Sequence, residues 1–414
     1  MIRLNLRHLR AFAQVAATGS ISAASRKVFL SQPAITQALA KLEEAVGTPL
    51  FLRKSTGMFL TEAGELLRAR VDRALFILAR AARRAARGGG RSKSVGFANF
   101  HHLLTSVQLR CFLALCETGN YSWAARNLGV SRPSVHRGIN DMERISGLQL
   151  FTRSVQGFEP THAGDALRQG VLLAFAELKQ GLEEVCMLLG QDTARIVLGT
   201  LPLARSFILP KAINDLCAMR PEVRIKVRDG AYKDLLHALR YGEMDVLIGA
   251  LRDPPPVDDV VQEELFVDKL AIAARAGHPL AGRRRLRADM LAQFPWVTPS
   301  SNIPTRQQFD ALFQNAKVPA PGRIVESSSL ILIRGLLLGS DRLTIISRHQ
   351  IARELEEGVL TTLDFTLDGS DRPIGITTRR GWSPTATQSL FLDMLRRICS
   401  ENAFRMHASD TGVR

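Results

Sequence analysis

Ser20 to Gly64 reads SISAASRKVFLSQPAITQALAKLEEAVGTPLFLRKSTGMFLTEAG. Ser20 or Ser22 can cap a helix that carries Ala24 and Val28 on one face. Ser31 is a good N-cap for the next helix, and Pro33 falls in its first turn, where a missing N–H forfeits no hydrogen bond. Ile35, Leu39, Leu42 and Val46 then form a buried stripe that Gly47 ends. Two short extended pieces between Leu50 and Leu60 flank Lys54-Ser55-Thr56-Gly57, a turn whose glycine can take a positive φ. Upstream, Leu6, Leu9, Ala13 and Ala16 space a helix that runs to about Thr18. Downstream, Thr61 can cap a helix from Glu62 to about Arg87 with an apolar seam of Leu66, Val71, Leu75 and Leu78. A helix that long with one seam most simply pairs with another helix. Helix, tight turn, second helix and two-stranded wing make a layout for reading DNA.

The same stretch returns, weakened, one hundred positions later. Leu9/Leu109, Phe12/Phe112, Gly19/Gly119, Ser31/Ser131, Pro33/Pro133, Gly47/Gly147, Phe51/Phe151, Arg53/Arg153, Gly57/Gly157, Thr61/Thr161 and Gly64/Gly164 match without a gap. These are caps, core positions and turn glycines, which a structural repeat keeps. Between the copies, Gly88-Gly89-Gly90-Arg91-Ser92-Lys93-Ser94 reads as a flexible linker. A second long helix follows, from Ala163 to about Leu189.

The second helix of a helix-turn-helix enters the major groove by its N-terminal residues. In the first copy these are Ser31, Gln32, Pro33, Ala34, Thr36 and Gln37. Gln pairs bidentately with adenine, and Ala or Thr meets a thymine methyl. Lys41, Arg53 and Lys54 are placed for phosphates, which anchor the protein without reading sequence. The plainer reading, a merely solvated helix face, fits the preceding turn and following wing less well. The second copy offers Ser131, Arg132, Ser134, His136, Arg137, Asn140 and Arg153, of which the arginines suit guanine and the asparagine adenine.

Charge separates the copies. The 414-residue chain carries a formal +16, which favours a polyanionic partner. Residues 1–105 hold 17 Lys and Arg against 5 Asp and Glu, whereas residues 106–192 hold 8 against 9. Seven of the arginines (Arg68, Arg70, Arg73, Arg80, Arg83, Arg84 and Arg87) lie on the long helix, where they can simply solvate it. Asp141 stands where the first copy has Lys41, and Glu159 sits in the second wing. Phosphate neutralisation supplies most non-specific DNA affinity, so the first copy should dominate binding, with the second as an auxiliary or dimer-shaping unit.

From Arg195 onward strands and helices alternate: strands at Arg195–Leu198, Val223–Val227 and Asp245–Gly249, with helices at Phe207–Met219 and Asp234–Tyr241. The second half repeats this with strands Lys269–Ala273, Arg323–Val325 and Leu343–Ile346 and helices near Thr305–Gln314 and Leu330–Leu338. Such alternation means a parallel sheet with helices on its faces, here as two lobes with a ligand cleft between them. Hydroxyls cluster at the strand-to-helix junctions: Thr200 and Ser206; Ser300, Ser301 and Thr305; Ser327, Ser328 and Ser329. Helix N-termini with such hydroxyls suit a carboxylate, although each hydroxyl alone could be an ordinary cap.

No nucleophile elbow or phosphate loop occurs, and His278 in Gly277-His278-Pro279-Leu280 reads as structural. Five cysteines without CxxC or Cys/His spacing argue against a disulfide scaffold or metal site and for buried, reduced thiols. A Cys217–Cys399 redox pair has no support beyond their shared region. No cofactor is implied. The absence of an apolar run of about 18 residues and of a signal peptide predicts a cytoplasmic chain with no membrane partner.

Ser31-Gln32-Pro33-Ala34, Thr48-Pro49-Leu50-Phe51-x-Arg53 and Leu60-Thr61-Glu62-Ala63-Gly64, with Gly277-His278-Pro279-Leu280-Ala281 further on, resemble the LysR-type transcriptional regulators. The resemblance implies DNA binding, no enzymatic activity, and a two-lobed effector domain like a periplasmic binding protein, whose chain crosses between lobes near Asp268 and Asp371. It implies dimers or tetramers joined through the linker helix. It also implies a small-molecule effector near Thr200, Leu201, Ser300, Ser301 and Ser328, with Ser206 and Thr305 added by position. The family normally carries one winged unit, so the duplication leaves two linker helices competing for the dimer role. The divisions that follow are 4–64 and 106–164 for the winged units, 65–105 and 165–192 for their linkers, 193–400 for the effector domain and 401–414 for a tail. Within the effector domain, lobe 1 takes 193–268 and 371–400, and lobe 2 takes 269–370. The rival is a two-lobed solute-binding or enzymatic protein whose repeats make only protein contacts.

Overall fold

The computed structural model describes residues 4–88, 99–191, 194–206, 208–301 and 303–410. Residues 89–94 of the glycine-rich linker, Thr193, Phe207 and the last four residues of the tail lie outside them. Two compact units divide the chain, one ending at Arg195 and one beginning at Ile196, with Glu222–Arg224 and Arg240–Glu243 joining the first.

The first unit opens with α1 (Leu6–Thr18), α2 (Ile21–Val28) and α3 (Gln32–Val46). Wing strands β1 (Phe51–Lys54) and β2 (Gly57–Leu60) lead into α4 (Glu62–Gly88). The second copy repeats the order as α5 (Ser106–Thr118), α6 (Tyr121–Leu128), α7 (Arg132–Ser146), β3 (Phe151–Ser154), β4 (Gly157–Pro160) and α8 (His162–Leu188). Local chemistry sets each boundary. The side chains of Ser20 and Ser31 accept from the backbone N–H groups three residues on, and α3 ends on Gly47 at φ 83°. Registers coincide, Phe51 pairing Leu60 and Phe151 pairing Pro160. The retained Gly64 and Gly164 have one cause: a Cβ on either would sit 2.2 Å from the carbonyl oxygen of Leu50 or Leu150.

The two copies share one apolar core. Helices α4 and α8 pack along their lengths in opposite directions, Arg70 lying against Gly181 and Ala81 against Gly170. The buried seam runs through Leu67, Val71, Ala74 and Leu78, with Leu66 and Leu75 at its edge. The helix partner foreseen for this seam is therefore the second linker helix of the same chain. The expectation that the α4 arginines only solvate the helix fails at Arg70, which is 4% exposed. Its Nε donates to Glu184 at 2.9 Å and its Nη1 to Glu177 at 3.0 Å, while Arg73 adds Nε and Nη2 bonds to Glu177 at 3.0 Å. Burial alone would lower the Arg70 pKa, but bonds and charge from Glu184 and Glu177 outweigh it and raise it.

The second unit holds β5 (Arg195–Thr200), α9 (Pro202–Ser206), α10 (Ile208–Met219), β6 (Arg224–Asp229), α11 (Tyr232–Arg240) and β7 (Val246–Ala250). Strand β8 (Val260–Arg275), α12 (Ala288–Leu291), β9 (Trp296–Thr298), α13 (Pro304–Asn315), β10 (Ile324–Glu326), α14 (Leu330–Leu338) and β11 (Leu343–Ser347) come next. The unit closes with α15 (Ala352–Glu356), β12 (Leu360–Thr362), β13 (Asp371–Arg379) and α16 (Ala386–Asp410). Helix α16 continues past residue 400, where a tail was expected to begin.

Hydrogen-bonded neighbours run β10-β9-β11-β8-β13-β7-β5-β6, with β12 on β8. Pairs β5–β7, β9–β10 and β9–β11 are parallel, but β13 pairs antiparallel with both β7 and β8, and β11 and β12 pair antiparallel with β8. The sheet is thus mixed rather than purely parallel. Strand β8 is also far longer than the expected Lys269–Ala273, because its first part pairs with β13 and its last part with β11 and β12. That first part, Val260 to Val267, lacks a continuous apolar run, its charged residues being tolerated where the strand is half exposed. One lobe's core gathers Val197, Leu239 and Leu247; the other's gathers Trp296, Phe309 and Phe313 with their rings edge to face.

Candidate nucleic-acid interface

Helix α3 presents its N-terminal turn to solvent. Ser31, Gln32, Pro33, Gln37 and Lys41 are exposed, Ala34 and Thr36 half-buried, while Ile35, Ala38, Leu39 and Leu42 fix the opposite face in the core. Gln32, Pro33, Ala34, Thr36 and Gln37 line one open groove with Ile21 and Ala40. The Thr36 hydroxyl donates to the Gln32 carbonyl at 3.0 Å, which leaves its methyl and its oxygen lone pairs to offer a partner. The two glutamine side chains have no hydrogen-bond partner among the described residues.

The wing is held to α3 by a residue that sequence reasoning passed over. Glu43 Oε1 accepts from the backbone N–H of Leu50 at 2.8 Å and of Phe51 at 3.2 Å. Glu143 does the same for Leu150 and Phe151 at 2.7 and 3.3 Å. The signal was available: a glutamate retained at a hundred-residue spacing whose partners are otherwise orphaned amides. Beyond this brace, Arg53 and Lys54 are exposed, Lys54 lying 5.3 Å above the Phe59 ring. Lys41 and Arg53 have no ion-pair partner among the described residues, so their charge is free for phosphates.

The second copy has the same frame and different furniture. Ser131, Arg132, Ser134, His136, Arg137, Asn140 and Arg153 are all exposed. Asn140 Nδ2 lies 3.1 Å from His136 Nδ1, and the His136 ring packs on Tyr121. Asp141, which replaces the first copy's Lys41, is paired with Arg144 at 3.3 Å. In the wing, Glu159 accepts from Ser154 at 2.7 Å, and fully exposed Val155 replaces Ser55 at the tip.

In the second unit the hydroxyls assigned to a ligand are only partly gathered. Thr200 is fully buried and donates to the Leu201 carbonyl at 3.1 Å. Leu201 packs on Gly249, and the buried Ser206 Oγ has no hydrogen-bond partner among the described residues. Ser300, Ser301 and Ser328 are exposed. Thr305, in the first turn of α13, accepts from Arg372 at 3.4 Å. Arg372 also pairs with Asp268, a fully buried carboxylate that accepts from Ser347 at 2.6 Å and lies 2.9 Å from His349 Nδ1. Burial alone would raise the Asp268 pKa, but the His349 and Ser347 hydrogen bonds and the Arg372 charge hold it below the ordinary carboxylate value. Sequence reasoning missed this cluster because its members come from four separated segments.

His278 is tied down as a structural residue, accepting at Nδ1 from Leu280 N at 3.1 Å with Nε2 3.3 Å from the Asp341 carbonyl. Cys111 and Cys399 are buried, but Cys217 is exposed, which corrects the expectation that all five thiols are interior. Burial pushes the Cys399 thiol up to about 12. Among the described residues no three His, Cys, Asp or Glu side chains are grouped to hold a metal ion, and no helix is long and apolar enough to cross a membrane.

The chain's relatives agree with this frame. Residues 6–65 and 107–165 each match the bacterial regulatory helix-turn-helix protein, lysR family, and residues 189–400 match the LysR substrate binding domain. The HTH-type transcriptional regulator GalR of Pseudomonas putida is 35% identical over 401 residues, covering 96% of this chain and 98% of its own. PcaQ of Agrobacterium fabrum, also named an HTH-type transcriptional regulator, is 28% identical over 305 residues, covering 73% of this chain and 95% of its own. A full-length OxyR variant from Pseudomonas aeruginosa shares the fold at a TM-score of 0.50 with 21% identity, covering 70% of this chain and 97% of that one. With two winged helix-turn-helix units followed by a two-lobed α/β domain of the periplasmic-binding-protein kind, the chain belongs to the LysR family of DNA-binding transcription regulators, which are not enzymes.

Proposed function

We propose that the exposed N-terminal turn of α3 reads operator DNA and that a small anionic metabolite bound between the lobes of the second unit controls the outcome. The observation that carries the first part is the exposed N-terminal turn of α3, with Gln32 and Gln37 open to solvent beside half-buried Ala34 and Thr36, together with the exposed cations Lys41, Arg53 and Lys54. For the second part, the support is chemical. Helix α13 begins without a side-chain cap, and the Thr305 hydroxyl in its first turn lies 3.4 Å from the Arg372 guanidinium, so a helix N-terminus, a hydroxyl and a cation stand together as a carboxylate would need. Thr200, Leu201, Ser206, Ser300, Ser301 and Ser328 complete the assigned ligand set. The chain acts in the cytoplasm and self-associates there.

Gel-shift titration of the full chain against salt tests the DNA reading. Binding whose affinity falls steeply with salt, and whose sequence preference is lost in Gln32→Ala, is the expected outcome. A chain that binds no DNA at low salt would return the repeats to a role in protein contacts. Thermal shift against a panel of small carboxylates tests the ligand, with Thr305→Val expected to abolish the response while sparing DNA affinity.

A further inference from the structure

The pairing of the two copies obeys a two-fold rule. Arg70 lies against Gly181 and Ala81 against Gly170, and moving each residue by one repeat of one hundred converts either pair into the other. The same rule holds at a second place. The Ser106 hydroxyl donates to the Leu4 carbonyl at 2.8 Å and accepts from Leu6 N at 2.9 Å, so the equivalent positions 6 and 106 meet. Equivalent residues meeting at one point, and exchanged pairs elsewhere, are the mark of an isologous two-fold interface. Here both halves belong to one chain.

Charge selects this pairing over like-with-like pairing. Arg70 needs Glu177 and Glu184, whose counterparts in α4 are Ile77 and Arg84. An α4–α4 pair would therefore set Arg70 beside Arg84, and an α8–α8 pair would set Glu184 beside Gly170 with no cation. Buried charge left without a partner is strongly unfavourable. The start of the second copy is held against the first as well, since Phe100–His102 packs on α4 and Arg10 donates to the Leu104 carbonyl at 3.3 Å.

From this geometry we infer that a single chain is a complete two-headed reader of an asymmetric duplex, α3 and α7 contacting two half-sites of unlike sequence. The inference rests on the reading that α3 enters the groove. Helix-turn-helix pairs related by a two-fold axis place their reading helices in successive major grooves. Each winged unit sits at the N-terminal end of its own linker helix, and 27 residues of α4 span roughly 40 Å, close to one turn of duplex. A symmetric pair of identical heads would select a palindrome. These heads are not identical: Gln32 and Gln37 correspond in the repeat to Arg132 and Arg137, residues suited to adenine and guanine respectively.

The test is selection of binders from a random-sequence duplex library by the full-length chain, repeated with Gln32→Ala and with Arg132→Ala/Arg137→Ala. These side chains are exposed, and far-UV circular dichroism confirms that each variant folds. The expected result is two different sequence blocks about ten base pairs apart. Gln32→Ala should relax one block and the double arginine variant the other, each by roughly 5- to 150-fold in base discrimination. A selected motif unchanged by the arginine variant, or two blocks of one sequence both lost in Gln32→Ala, would overturn the inference while leaving α3 as a reader. Enrichment of no sequence by the unmodified chain would overturn both.

Discussion

Gly170 on α8 stands directly against Ala81 on α4: a Cβ built on the glycine would lie 2.1 Å from the Ala81 Cβ. Neither neighbour is the end of a flexible side chain, so the contact sets how closely the two helices approach. Gly170→Ala should push the helices apart and destabilise the first unit by about 1–3 kcal/mol, the usual range for overpacking. Urea unfolding of the full chain, followed by circular dichroism, would measure this. An unchanged midpoint would show that the helices do not meet here.

Arg70 is the ionic anchor of the same interface. Arg70→Ala leaves near-buried Glu184 without its cation and Glu177 with Arg73 alone, so about 3 kcal/mol should be lost from the first unit. Arg84→Ala, which removes only an exposed hydrogen bond to Gln169, should change stability by less than about 0.5 kcal/mol. Comparable losses in the two variants would contradict the role given to the buried cluster.

Phosphate anchoring should be unequal between the copies. Each of Lys41→Ala, Arg53→Ala and Lys54→Ala is expected to reduce the slope of log affinity against log salt by about 0.9. Arg144→Ala should leave the slope nearly unchanged, because that charge is already spent on Asp141. Filter binding between low and moderate salt decides the matter.

Asp268 supplies an acid limb to the stability of the second unit. Its folded pKa is depressed, so the unfolded chain binds the proton more readily. The stabilisation is therefore present above the ordinary aspartate range of about 4 and is lost as pH falls through the lower folded value. Asp268→Asn should be less stable at neutral pH, where Arg372 loses its counter-charge, and should show a shallower loss between pH 5 and pH 2. Parallel acid-unfolding curves of the two proteins would reverse this assignment.

Thiol chemistry should report the fold directly. Cys217 is exposed, whereas burial pushes the Cys116 and Cys399 thiols up to about 12. An aromatic disulfide reagent at neutral pH should label Cys217 first, and Cys217→Ser should remove the fast phase. Rapid labelling of Cys399 would mean that the face of α16 that carries it is not buried.

The sequence alone determined what depends on neighbours along the chain. Caps such as Ser31, terminating glycines such as Gly47 and the helical stripes act within a few positions, and the hundred-residue repeat shows each of them twice, so two winged helix-turn-helix units are legible in the sequence. So was the exposure of Gln32 and Gln37, because a stripe that buries Ile35 and Leu39 leaves them outside. Tertiary structure alone decided what depends on residues far apart in sequence. Burial of Arg70 requires Glu177 and Glu184, more than a hundred positions away, and an arginine on a helix looks alike whether its partner is water or a carboxylate. Strand β8 was underestimated for the same reason: pairing with β13 and β11 made a long strand of a segment without a continuous apolar run. The linker-helix seam announced that it wanted a partner, and only the packed structure showed that the partner is the chain's own second copy.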